Sequence, residues 1–321
     1  MSMIVGDDPN AYPPDDTSGI ARSGRGRLVL RRFTRNRIAL FGVLVIVLLY
    51  LAAFTYTWYW PWSYQVSDPN AYLSPPNGTH LFGTDKDGFD MYAQIMRGLQ
   101  KSLTIGLLVA VLSTSLAAVV GSVAGYFRGI SDRALMWLVD LLLTLPSFLI
   151  IAVLSPAFKG KTWLLFVLLL AAFSWMITAR IVRGMTLSLK EQDFVRAARL
   201  MGVPPLRVIT RHILPQISSL LIADATINVG SAILTETSLS YFGFGVQPPD
   251  VSLGTLIASG TTSAVTFPWL FFIPGGLLVL TVLAVNLAGD GLRDALDPNS
   301  ARGQRKQLRA FRRSLGNGGP T

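Results

Sequence analysis

FVRAARLMGVPPLRVITRHILP, residues 194–215, places four arginines (Arg196, Arg199, Arg207 and Arg211) inside a chain of 321 residues that is 51% hydrophobic. Apolar blocks flank it on both sides. Reading outward gives six of them: 38–58, 101–126, 133–154, 162–182, 217–238 and 268–289. A helix crossing the ~30 Å hydrocarbon core needs about 20 mostly apolar residues. The spacing therefore predicts an all-α membrane protein of six transmembrane helices, with the arginine-rich stretch in the loop, about 184–215, between the fourth and fifth.

The charges orient the bundle. Under this scheme 23 of the 28 Lys and Arg fall on one side: the N-terminal tail, the turn after the second helix, the 184–215 region and the C-terminal part. Five (Lys86, Arg97, Lys101, Lys159 and Lys161) fall on the other. Cytoplasmic loops carry the Lys/Arg excess, so both termini are expected in the cytoplasm. The net charge of +10 then encodes topology, with attraction to anionic lipid as a secondary role, and does not indicate nucleic acid. The block 38–54 is uncharged and no clean A-x-A site follows it, so it is expected to stay as an anchor and not be cleaved.

Five segments follow. Residues 1–37 form a tail, disordered over DDPNAYPPDDTSG and then basic. Residues 38–58 form the first helix. An external segment, 59–100, opens with the aromatic WYWPWSY (58–64) of a membrane–water interface. Residues 101–298 form a five-helix core, and 299–321 a second basic cytoplasmic tail.

Side-chain catalysis is poorly provisioned. With no cysteine and two histidines, His80 and His212, the chain lacks thiol chemistry and a histidine-rich metal site. GKT (160–162) ends like a phosphate loop, but Ser155 stands where that motif needs glycine. DKDGFD (85–90) begins like a calcium loop, but Phe89, Asp90 and Met96 occupy its fifth, sixth and twelfth positions. No metal or catalytic residue is assigned.

Within the core, Gly121-x-x-x-Gly125 predicts close helix packing, and Pro146 and Pro274 are expected to kink the third and sixth helices. The fifth helix carries Asp224, Asn228, Ser231 and Thr235 on one face, with Glu236 near it. Such a stripe should face protein or water. A translocation path and a satisfied helix interface account for it equally, and Asp140 of the third helix has the same two readings.

The arginine-rich loop reads as helix, break, helix. Phe194–Met201 is apolar except for Arg196 and Arg199 on one side, Gly202 suits a helix end, and Pro204 or Pro205 a new start. The new helix is expected to run until Pro215 bends the chain into the membrane. The small Ala197 and Ala198 would let a neighbouring surface close on the backbone. An amphipathic helix lying at the lipid headgroups fits the same residues.

The pattern Ala197-Ala198-x3-Gly202 followed by Ile213-Leu214-Pro215 resembles the EAA loop of permease subunits of bacterial ABC importers. Arg196 stands for the family's leading Glu, and His212 for its Ile. RRFTRNRIALFGVLVIVLL (31–49), HLFGTDKDGFDMYAQIMRGLQKSLTIG (80–106), YFGFGVQPPDVSLGTLIASG (241–260) and NLAGDGLRDALDP (286–298) are similar, in that order, to the C-type permease of dipeptide and oligopeptide importers. The resemblance implies a type I importer fold in the bacterial cytoplasmic membrane, and a homologous second permease as partner. It also implies a cytoplasmic ATPase that binds ATP and Mg, and an external binding protein that delivers peptide. Phe194, Arg196, Ala197, Ala198, Arg199, Leu200, Met201 and Gly202 would form the ATPase-coupling helix. A proton-coupled secondary transporter using Asp140, Asp224 or Glu236 is the competing reading.

Overall fold

The computed structural model describes residues 25–155 and 163–296, and among these every regular element is a helix. The tail expectations for residues 1–21 and 299–321, and the GKT stretch at 160–162, lie outside the described residues.

A short helix, α1 (Arg25–Phe33), precedes α2 (Arg37–Tyr59). Asn36 separates them because its carboxamide oxygen accepts from the backbone N–H of Ile38 and Ala39, both at 3.2 Å, and so starts a new helix. The central element is α3 (Met91–Phe127). Its 37 residues run about 55 Å at 1.5 Å each, well beyond the hydrocarbon core.

Next come α4 (Gly129–Thr144) and α5 (Ser147–Leu154), bent by 79° at Pro146. Then follow α6 (Trp163–Ser174) and α7 (Met176–Lys190), bent by 47°. The second bend lacks proline and glycine. At it, Ser174 Oγ donates to Leu170 O (2.8 Å) and Trp175 Nε1 to Ala172 O (2.9 Å). Side chains that bond into the ladder of the preceding turn are an established cause of kinks.

The chain continues through α8 (Asp193–Leu200), α9 (Pro205–Val208), a wide π turn (Ile209–Ile213) and α10 (Leu214–Tyr241), and ends with α11 (Leu253–Thr261) and α12 (Trp269–Leu296). Four helical stretches (α2, α3, Pro205–Tyr241 and α12) are long and apolar enough to cross a membrane, and the two bent pairs bring the number to six if each is one span.

Two boundaries differ from expectation. The loop expected over 184–215 is shorter, because α7 continues to Lys190. Pro215 does not end a helix. It cannot donate to the carbonyl of residue 211 and its ring crowds that group. The π turn just before it, closed by Leu214 N–H on Ile209 O, opens the spacing so that one helical rod passes through. Pro274 sits near the start of the unbroken α12, where its missing N–H removes a bond from the first turns only.

Glycines set the closest approaches. A Cβ on Gly121 would lie 2.4 Å from Ala179 O, and one on Gly125 2.8 Å from Arg183 O, so α3 and α7 touch backbone to backbone. Gly291 of α12 faces Ala39 of α2 in the same way.

Between α2 and α3, residues 60–90 fold onto the end of the bundle opposite α8. Thr84 is fully buried; its hydroxyl donates to Ala71 O (2.6 Å) and accepts from Ser74 N–H (2.9 Å). Asp85, its carboxyl pushed up by burial, accepts from Asp87 and Phe89 N–H at 2.9 and 2.8 Å. Asp90 caps α3 at Ala93 N–H (2.8 Å) and takes Nδ1 of buried His80 at 2.8 Å. The Gly83-Thr84-Asp85 run is thus a structural clasp. Gly83 has φ +74°, and a Cβ there would meet Ser74 O at 2.5 Å. Gly83→Ala is expected to cost about 2 kcal/mol or more from the left-handed backbone and the clash together. The check is a lower thermal midpoint of the detergent-purified assembly.

Candidate functional site

Two places concentrate unusual chemistry, and α3, α7 and α10 connect them. The first is α8. Val195 and Ala198 are buried, and Val195 packs with Tyr126 of α3 and with Val208, Ile209 and Ile213. Lys190 Nζ donates to Tyr126 O at 2.6 Å and lies over its ring at 5.3 Å, tying the end of α7 to the end of α3. α8 stops at Gly202, whose φ is +77°: Gly202 N–H bonds Arg199 O (3.0 Å) and Val203 N–H bonds Ala198 O (3.1 Å). That pair of bonds is a Schellman motif, and it requires glycine for its backbone alone.

The opposite side of α8 is exposed and sets apolar residues beside Asp193, Arg196 and Arg199. Leu200 is 89% and Met201 76% accessible, with Phe194, Ala197 and Leu206 also exposed. Ala198 therefore corrects the expectation that a neighbouring surface closes on it: its methyl group faces this chain's own core, and only Ala197 faces out. Arg196 finds its acid within the chain, donating to Glu191 at 3.0 Å, and this bond holds the Glu191 carboxyl below its usual range. Arg199 is exposed.

The second place is the polar stripe of α10, which divides in two. Asn228, Ser231 and Thr235 border a cavity of about 210 Å³ that Val109, Leu143 and the Phe173–Ile177 bend also line. Asp224 is fully engaged instead. It accepts from Thr178 Oγ1 (3.0 Å to each oxygen), Asn228 Nδ2 (2.9 Å) and Thr114 Oγ1 (3.4 Å), joining α3, α7 and α10. Glu236 does not belong to the stripe. It lies about 120° around the helix from its centre, is fully buried, and accepts from Ser240 Oγ (2.6 Å) and Ser102 Oγ (3.0 Å). Asp140 pairs with Arg180, and Asp132 with Arg183 at 2.5 and 2.6 Å, fastening α4 to α7.

Thr178→Val removes the hydroxyl that donates between both oxygens of Asp224, nearly without changing shape, and is expected to cost about 1–3 kcal/mol. Ser231→Ala, on the cavity wall, should stay within about 0.5 kcal/mol. Thermal denaturation of the two variants in detergent compares them directly.

Several contributing residues were not visible beforehand. Thr114, Thr178 and Ser102 sit in apolar blocks where a hydroxyl more often bonds its own helix. Tyr126 and Lys190 are far apart in sequence. The Ser174–Trp175 bend, one wall of the cavity, has no breaker residue. Among the described residues no group of three or more His, Asp or Glu is placed to hold a metal.

Residues 117–302 match the family model for a binding-protein-dependent transport system inner membrane component, and residues 24–76 that for the N-terminal TM domain of oligopeptide transport permease C. The oligopeptide transport system permease protein OppC of Mycobacterium tuberculosis is 54% identical over 279 residues, covering 87% of this chain and 96% of the relative. OppC of Haemophilus influenzae is 36% identical over 270 residues, covering 84% and 86%. Among solved structures, a chain of the MetNI methionine ABC transporter in an inward-facing conformation superposes with a TM-score of 0.53 at 19% identity, covering 64% of this chain and 98% of that one. That likeness extends the agreement to the type I permease fold. The chain belongs to the family of binding-protein-dependent transport system inner membrane components, as a multi-pass permease subunit that is not itself catalytic.

Proposed function

We propose that this chain moves di- or oligopeptides across the bacterial cytoplasmic membrane as one of two homologous permeases, driven by a separate ATPase that grips α8. The observation that carries this reading is the two-sidedness of α8: an exposed apolar crown (Phe194, Ala197, Leu200, Met201) on a helix whose other side is locked into the chain. Apolar surface concentrated on a rigid projection marks a protein contact. The peptide cargo is supported by the relatives, which are named for oligopeptide transport.

ATP is bound with Mg and hydrolysed in the ATPase partner, and an external binding protein supplies the peptide. The Lys/Arg asymmetry puts α8 and both tails in the cytoplasm and residues 60–90 outside. ATP-driven closure of the ATPases presses on α8. Through Tyr126, Val208, Ile209 and Ile213 the push reaches α3 and α10, and along α10 it travels about 22 Å to Asn228. There Asn228, Ser231 and Thr235 line the passage that opens to one side and then the other. Nucleotide biases a two-state equilibrium by binding one state better. Asp224 and Glu236 hold the moving elements together and touch no cargo.

Uptake by proteoliposomes containing the full assembly tests this. Peptide accumulation should require ATP and the ATPase and persist when the proton gradient is collapsed. Accumulation by this chain alone under a proton gradient would instead support Asp140, Asp224 or Glu236 as proton carriers.

A further inference from the structure

Three charged groups meet near the external end of α3. Arg97 and Lys101 are one helical turn apart, so they share a face. Arg97 Nη2 donates to Asp250 Oδ1 and Lys101 Nζ to Asp250 Oδ2, each at 2.8 Å. Asp250 lies in the segment between α10 and α11. Each cation also rests on an aromatic ring: Arg97 over Tyr64 at 5.0 Å and Lys101 over Trp163 at 4.3 Å. The rings hold the cations in place without neutralising them.

Two positive charges thus share one carboxylate. Burial pushes the Asp250 carboxyl up, but hydrogen bonds from Lys101 and Arg97 outweigh it and keep it below the usual range. Arg97 keeps unused capacity, since its Nε is buried with no acceptor. The buried carboxylate of Glu236 is occupied by Ser102 and Ser240. Lys101 stands about 12 Å along α3 from Val109, in the wall of the cavity lined by Asn228 and Ser231. The cluster therefore lies nearer the external end of α3 than that cavity does.

We propose that Arg97 and Lys101 form a carboxylate-receiving site for the C-terminus of the incoming peptide, with Asp250 as the resident carboxylate that the cargo displaces. This rests on the peptide reading above. A free α-carboxylate is the one anion common to all linear peptides, and it has the bidentate geometry a guanidinium accepts. Displacing Asp250 would remove its ties between the α10–α11 segment and α3, so that arrival of cargo and loosening of the outer end become one event.

The test uses the complete importer in proteoliposomes, with its binding protein at saturating concentration loaded with one tripeptide as the free acid or as the C-terminal amide. Saturation removes the binding protein's own preference. The wild type should transport the acid about 10-fold faster, the equivalent of one good charge-assisted contact. Arg97→Gln should bring that ratio towards one, and Arg97→Lys should retain most of it. Asp250→Asn, which removes the competitor, should raise the ratio. A purely structural ion cluster would lower acid and amide transport equally in both Arg97→Gln and Asp250→Asn, and that result overturns the proposal. A wild-type ratio of one overturns it with no variant needed. If the wild type takes up neither peptide with ATP present, the peptide reading itself fails, which is a separate result.

Discussion

Leu200→Glu is expected to abolish ATP-driven uptake while leaving this chain folded. Leu200 is 89% accessible, so within the chain the change should cost no more than about 0.5 kcal/mol. In the assembly it would place a charge at the most exposed residue of the apolar crown. Central interface residues lose 2 kcal/mol or more on truncation to alanine, roughly 30-fold in affinity, and an unpaired buried charge costs more than that. Co-purification of the ATPase with the permease, together with uptake by the reconstituted complex, measures both consequences. Ala198→Glu makes the informative contrast. Ala198 is buried within this chain, so the loss should appear as lower stability of the permease itself.

The second large effect is predicted for Gly121→Leu. The Cβ alone would come within 2.4 Å of Ala179 O and 2.7 Å of Val182 Cβ, and a backbone carbonyl inside a helix cannot swing away. Overpacking costs typically 1–3 kcal/mol, and here the first atom already collides, so about 3 kcal/mol or more is expected. α3 and α7 would be forced apart, which also strains the junction where Thr114 of α3 and Thr178 of α7 both donate to Asp224 of α10. Gly184→Ala is the control: nothing lies within 4 Å of its Cβ, and alanine is the better helix former by about 1 kcal/mol. Thermal inactivation in detergent should rank Gly121→Leu far below the wild type and Gly184→Ala level with it or above.

The membrane spans were legible in the sequence because span length is a property of composition: six apolar blocks separated by charge leave few alternatives. Gly121 and Gly125 were legible for a similar reason, since small residues one turn apart make a groove whatever fills it. The bend at Ser174–Trp175 was not. It arises from two side-chain hydrogen bonds to carbonyls of the preceding turn, and neither residue type breaks helices by habit.

Direction was harder to read than composition. Ala197 and Ala198 are the same residue side by side, and only the packing of α8 against Tyr126, Val208 and Ile213 decides that one faces in and the other out. The α10 stripe shows the same limit. Helical period grouped Asp224 with Asn228, Ser231 and Thr235, yet partners from α3 and α7 make the first a tie between helices while the other three border space. Proline's missing N–H predicts a bend at Pro215, and the π turn ahead of it removes the conflict.

The proposed function requires a partner ATPase that covers the exposed side of α8. The chain has no cysteine, so Leu200→Cys introduces its single thiol. Maleimide labelling of this chain is then compared in membranes holding the two permeases alone and in membranes holding the whole complex. At least a tenfold slower reaction in the complex, changing again when ATP is added, is the predicted result. Equal labelling rates with and without the ATPase would contradict the account.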